Sequence, residues 1–254
     1  MRKILVGILS IVVLSFSSCD VAENVLKTIE ENAGNMNIPL TKDEVANGLK
    51  SALKVGTDTA VGLLHRQGGF YKDKLLKITF PKEAQEILKY KDHPLLKAVG
   101  ISKMINDAEL RLNRAAEDAV KEAKPIFVNA ITGMSIQDAF GILNGGDNSA
   151  TEYLRGKTSA QLKNAFKPKI QKSLDKPIVS GVSASKSWTT LAKAYNKVAQ
   201  FVPDMKTVNV TLSDHVTDQA LKGLFTKIAK EEKGIRNNPK DRVNDILKRV
   251  FGSK

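Results

Sequence analysis

Cysteine is all but missing from this chain. Of its 254 residues only Cys19 is one, so no disulfide can form within the molecule. Proline and glycine are few, 8 and 17, and scattered, which excludes collagen-like, proline-rich and Gly/Ser-linker classes. Histidine is as scarce: His65, His93 and His215 lie far apart, with no His-x3-His spacing and no cysteine near them. That pattern offers no metal site, and no cofactor is expected. Acid is in deficit, with 27 Asp+Glu against 40 Lys+Arg and a formal net charge of +13. No apolar run reaches the ~18 residues that would span a bilayer as a helix. What is present is 42% hydrophobic and 26% charged, with both signs interleaved, which excludes disorder and predicts a globular chain.

The N-terminus reads as an address. Arg2 and Lys3 precede an uncharged run from Ile4 to Phe16, then Ser17, Ser18 and Cys19. The run is too short for a ~30 Å hydrocarbon core and suits the h-region of a secretory signal. The segment resembles a bacterial lipoprotein signal, with Phe16 where an aliphatic residue is usual. That resemblance implies removal of residues 1–18 and lipidation of Cys19. Several acyl chains on one residue give stable anchoring, where a single chain is marginal. Residues 19–35 then form a tether and 36–254 the folded domain, at the envelope and expectedly the outer membrane.

The remainder is helical in period nearly throughout, which predicts an all-α class: a single multi-helix bundle. Thr41 and Glu44 have capping-box spacing and open a helix to about Arg66, stopped by Gly68-Gly69. From Gly100 onward Ile101, Ile105, Ala108, Leu112, Ala115, Ala119, Ala123 and Ile126 form a narrow, Ala-rich stripe on one long helix. Pro125 should kink or break it. Ser135 caps a short helix to Leu143, before the turn Asn144-Gly145-Gly146-Asp147. A short helix from Asn148 or Ser149 should stop at Gly156, and Thr158 to Gln161 should open another, bent at Pro168. Further helices run from Ser185 or Ser187 to Phe201, from Ser213 past Ile228, and from Asn238-Pro239 to Phe251, with Gly234 breaking the joint between the last two. Pro81 to Tyr90 adds one more. Leu75–Phe80 and Thr207–Leu212 are the only β-like runs and could pair as a minor two-stranded ribbon.

Catalytic motifs do not assemble. Ser-x-x-Lys occurs three times, at Ser51, Ser173 and Ser183, which in a lysine-rich chain is chance, and the companion Ser-Asp-Asn and Lys-Thr-Gly motifs are missing. Gly156-Lys157-Thr158 ends like a P-loop, but Thr151 stands where its first glycine belongs. The basic run Arg155, Lys157, Lys163, Lys167, Lys169, Lys172 and Lys176 reads as a solvated helix face or as a surface for anionic envelope lipid or polymer. Nucleic acid is a poor partner for an exported chain.

The polar cluster is more informative. Asp147, Thr151, Tyr153 and Arg155 crowd one short helix, and Glu232 and Arg236 flank the Gly234 joint. Arg presents a planar fork that suits a carboxylate. Arg155 or Arg236 is expected to pair across the fold with Glu232 or Asp147, as a structural lock or as a ligand site.

Several of these segments carry a family resemblance. Ser135 to Asp138 with Ala139, Ile142 and Leu143, then Ala150 to Arg155 and Phe166-Lys167-Pro168, resemble domain-of-unknown-function family 4197. So do Ala220 to Phe225, Glu231-Glu232, Ile235 to Pro239 and Leu247 to Gly252, with Leu49 to Leu53, Gly69-Phe70 and Ile78 to Pro81 at the front. Tyr153-Leu154-Arg155 departs from the family's usual Tyr-Phe-Arg and leaves Arg155 in register. The resemblance implies an exported bacterial protein and assigns no activity. The reading that follows is a lipid-anchored helical binding or interaction module, held to the membrane through its anchor. The alternatives are an enzyme acting on an envelope small molecule or polymer, and a carrier of a lipid-like ligand.

Overall fold

The computed structural model describes residues 40–82, 84, 101–177, 181–200, 207, 209, 211–238, 240 and 248–249. Over them run α1 (Lys42–His65), α2 (Ile101–Ala119), a 3-10 turn (Val120–Glu122), α3 (Ala123–Thr132), α4 (Ile136–Asn144), α5 (Ser149–Leu174), α6 (Ala184–Ala199) and α7 (Leu212–Asn237). The class is all-α, as the periodicity predicts. Pro177 and Ser183 form an isolated β-bridge, and no strand occurs among the described residues. No single described helix is long and apolar enough to cross a membrane. The predicted signal, Cys19, the tether, Pro81–Tyr90 beyond its first residues, Phe201–Pro203 and most of the last helix lie outside the described residues.

Local capping sets two helix starts where the sequence placed them. The Thr41 hydroxyl accepts from the Glu44 amide, and Glu44 accepts from the Thr41 amide at 2.7 Å. Ser135 and Asp138 repeat the arrangement at α4. These carboxylates satisfy donors that a helix start otherwise leaves unpaired, and their pKa values fall below the ordinary range for that reason.

The core lies where α5 and α7 pack on each other and on α2 and α1. Leu112, Ala115, Ala119 and Ala123 are fully buried, so the Ala-rich stripe faces partners closely, as expected. The long helix breaks just upstream of Pro125: the 3-10 turn spans Lys121, whose carbonyl the proline ring would strike in a regular helix. Phe127 and Phe225 meet edge-to-face at 6.2 Å between ring centroids.

Four expectations need correction. The helices predicted on either side of Gly156 are one, α5. The hydroxyls that suggested a second start donate backwards instead, Thr158 to the Leu154 carbonyl at 2.6 Å and Ser159 to the Arg155 carbonyl at 2.7 Å, and the helix also runs through Pro168. Gly234 likewise sits inside α7, which ends at Asn237. The helix expected from Ser213 begins at Leu212, with Thr211 rather than Ser213 as its cap. Among the described residues, 75–80 form no strand: Asn113 accepts the Ile78 amide and donates to the Ile78 carbonyl, both at 2.8 Å. The Thr79 carbonyl meets His215 Nε2 at 2.8 Å. Side chains therefore occupy the Ile78 amide and the Ile78 and Thr79 carbonyls, which a ribbon would need.

Candidate functional site

Two buried glutamates organise the helix ends. Asn148, at the start of α5, makes no side-chain cap bond. Glu232, one turn from the end of α7, takes that role from a distance. Its Oε1 accepts the Ala150 amide at 3.0 Å, and its Oε2 accepts both the amide and the hydroxyl of Thr151 at 2.8 Å. Arg236, one turn on, donates to Glu232 Oε1 from Nε at 3.0 Å and Nη2 at 2.8 Å, and from Nη2 to the Ile142 carbonyl at 2.8 Å. The carboxylate thus sits at the positive end of α5 and the guanidinium at the negative end of α4. This i,i+4 pair on one helix clamps the two helices that meet at the Gly145-Gly146 turn.

Glu117 does the same on α2. Its Oε1 accepts the amides of Gly68 at 3.0 Å, Phe70 at 3.2 Å and Tyr71 at 3.4 Å, and its Oε2 pairs with Arg114. Gly68 has φ +90°, the left-handed conformation that turns these amides toward one acceptor. The Glu117 carbonyl meets His65 Nδ1 at 2.8 Å.

The predicted residues divide accordingly. Thr151, Glu232 and Arg236 come together. The pairing partner of Arg236 is its own helix neighbour, and the cross-fold link runs through backbone groups of α4 and α5. Arg155 is not part of this cluster. It is half-exposed, pairs with Glu152 at 3.2 Å and lies over the Phe225 ring at 4.5 Å. Asp147 is exposed and sits 3.8 Å from Lys233. Burial pushes the Tyr153 phenol up, and the Asp138 carboxylate beside it adds to the rise. In the basic run, Lys163 pairs with Asp218, Lys167 with Asp214 and Lys169 with Glu122. Much of that face is therefore neutralised by α7 and the 3-10 turn.

Both glutamate carboxylates are occupied by backbone amides and an arginine. Among the described residues every buried side-chain nitrogen and oxygen has a hydrogen-bond partner. The apolar cleft beside Glu232, between α1 and α7, has a volume of about 20 Å³, room for roughly one water molecule.

A larger space lies elsewhere, where the end of α5, α6 and the start of α7 meet. Its volume is about 320 Å³, at the lower end of the ~300–1,000 Å³ typical of small-molecule sites. Gln171, Ser185, Asn196, Asn209 and Thr211 contribute amides and hydroxyls, buried Trp188 contributes an indole, and Lys193 is the one charged residue of the lining among those described. Gln171 Nε2 donates to Ser185 Oγ at 3.2 Å and to Asp175 at 2.9 Å, which fixes one wall. The α6 helix that carries Trp188 is started by Ser183, whose hydroxyl accepts the Lys186 amide at 3.2 Å.

Sequence reasoning did not single out Asn113, Glu117 or this groove. The signal for the first two was present: Asn113 and Glu117 are an i,i+4 pair in register with buried Ala116 and Val120. The groove has no such signal, because its residues come from three separate segments.

The family model described as Protein of unknown function (DUF4197) matches residues 39–252. No curated protein and no solved structure matches.

Proposed function

We propose that this chain, which belongs to the family described as Protein of unknown function (DUF4197), is an envelope lipoprotein that binds a small, uncharged, polyhydroxylated ligand. Residues 1–18 are its signal, Cys19 its lipid anchor at the outer membrane, 19–35 its tether and 36–254 its binding domain. The observation that carries the binding reading is the groove around Trp188. Gln171, Ser185 and Thr211 bond within the walls and shape them, and the Asn209 amide, able to donate and to accept, is assigned to the ligand hydroxyls. An indole offers a flat apolar surface with one polar edge. A saccharide or a related polyol presents that combination of ring faces and hydroxyls.

The rival readings have less support. An enzyme needs convergent titratable groups facing a ligand space, whereas Glu117 and Glu232 are saturated by backbone amides and arginine. A lipid carrier needs a long apolar pocket, and the apolar cleft holds roughly one water molecule.

Trp188 is the chain's one tryptophan, so intrinsic fluorescence reports on the groove directly. Titration with N-acetylglucosamine, N,N′-diacetylchitobiose and maltose should give a saturable change for at least one of them, weakened in Asn209→Ala. No change with any saccharide, together with a change on adding an anionic polymer, would replace this ligand class.

A further inference from the structure

Leu75 is 90% exposed, and Ile136 is the only other exposed large hydrophobic residue among those described. A lone surface leucine is ordinary. This one differs in being held out by a loop that is fixed on every side.

The loop after α1 has its start tied by Glu117, which collects three amides. Phe70 is fully buried, against Gly223 of α7. Asp73 Oδ1 accepts the amides of Leu75 at 2.9 Å and Leu76 at 3.3 Å, closing a turn under the tip. Leu76 is buried, and Asn113 holds both backbone groups of Ile78. The tip is therefore pre-ordered, with the apolar side chain in water. Lys72 and Lys74, both exposed, flank it. Lys77 pairs with Glu109 and lies 4.8 Å over the Tyr71 ring. The one acid within the tip, Asp73, faces its own amides.

We propose that this loop docks on an anionic bilayer surface, with Leu75 entering the acyl boundary and Lys72 and Lys74 meeting lipid phosphates. An apolar side chain flanked by two lysines matches the layering of an anionic membrane, charge outside and hydrocarbon beneath. A second protein would be expected to need a wider apolar patch than one leucine. The inference rests on the lipid-anchor reading, because a tethered domain already sits beside the bilayer and a weak contact then suffices to orient it. Residues 19–35 extend to roughly 60 Å at most, enough for any face of the domain to reach the surface, so surface chemistry selects the face. An oriented domain would hold the Trp188 groove at a constant aspect to the membrane.

The test uses the full mature protein with Leu75→Trp, reconstituted in vesicles of neutral phosphatidylcholine or of phosphatidylcholine with phosphatidylglycerol, each carrying brominated acyl chains. Bromine quenches tryptophan only at membrane depth, and wild type, with Trp188 alone, is the reference. Docking predicts about twofold quenching of the added tryptophan on anionic vesicles. It also predicts little quenching on neutral vesicles, and loss of the anionic effect in Leu75→Trp with Lys72→Glu and Lys74→Glu. An added tryptophan that stays unquenched on anionic vesicles overturns the docking. The mass of the Cys19 peptide reports independently whether the anchor reading has failed as well. Self-association in sedimentation, present in wild type and abolished by Leu75→Glu, would make a second copy the occupant and also overturn the proposal.

Discussion

Glu232 and Thr151 stand 81 positions apart in sequence, yet one carboxylate oxygen accepts both the amide and the hydroxyl of that threonine at 2.8 Å. A long helix is thus capped by a residue from the other end of the domain. Local caps at Thr41 and Ser135 serve single helices, whereas this one also fixes where α5 begins relative to α7. Arg236 extends the same link to the end of α4.

Breaking that link should be expensive. Both side chains are largely removed from water, 6% exposed for Glu232 and 11% for Arg236. Truncating one partner of a buried pair costs about 3–5 kcal/mol. Glu232→Ala and Arg236→Ala are each expected to fall in that range in urea unfolding. A double variant that costs much less than the sum of the two would show the coupling.

Arg155→Ala should behave differently. Its side chain is 43% exposed, and that of its partner Glu152 is more exposed still. An exposed ion pair is worth roughly 0–1 kcal/mol, and a cation–π contact made by a half-exposed arginine about 0.5–1 kcal/mol. A small shift in the urea midpoint is expected, and a loss matching that of Arg236→Ala would show that Arg155 belongs to the buried network.

Two glycines should respond with opposite signs. A Cβ on Gly223 would sit 2.7 Å from Phe70 Cε1, while one on Gly156 meets nothing within 4 Å. Gly156→Ala, in the middle of α5, should stabilise by about 0.5–1 kcal/mol from helix propensity. Gly223→Ala should destabilise by about 1–3 kcal/mol from overpacking, with part recovered by adding Phe70→Leu. Thermal melts of the three variants decide.

Acid should act through the helix starts. Glu44 is lowered by the Thr41 amide and hydroxyl, Asp138 by the Ser135 hydroxyl and amide, and Asp214 by Lys167 and then the Thr211 hydroxyl. Their folded-state pKa values lie below the unfolded ones. The stability they supply is therefore complete above about pH 4–5 and is lost as pH falls through the lowered values. Melting temperature measured from pH 7 to pH 3 should fall in that acid window, and Ser135→Ala should flatten part of the slope.

How far the sequence revealed this arrangement depends on whether the determinant is local. The Thr41 and Ser135 caps, the Ala-rich stripe and the break near Pro125 all follow from residues a few positions apart. Gly156 and Gly234 read as helix ends because each costs about 1 kcal/mol in a helix interior, but packing between α5 and α7 outweighs that. The Glu232–Arg236 pair was legible as chemistry, since a carboxylate and a guanidinium stood close together beside a suspected joint. Its targets, the Thr151 amide and the Ile142 carbonyl, were not, because backbone groups carry no sequence identity. Glu117 was hidden for a related reason: one glutamate in an Ala-rich helix reads as a solvent-facing residue until the loop it caps is seen.

Binding in the Trp188 groove is open to amide chemical-shift mapping. The ¹⁵N-labelled protein would be titrated with N,N′-diacetylchitobiose and with maltose. Shifts are expected to concentrate at Ser185, Asn209, Thr211 and the Trp188 indole for at least one of the two. The Ala150, Thr151, Gly68 and Tyr71 amides, held by Glu232 and Glu117, should stay in place. Shifts centred on those four amides, or none in the groove with either saccharide, would contradict it.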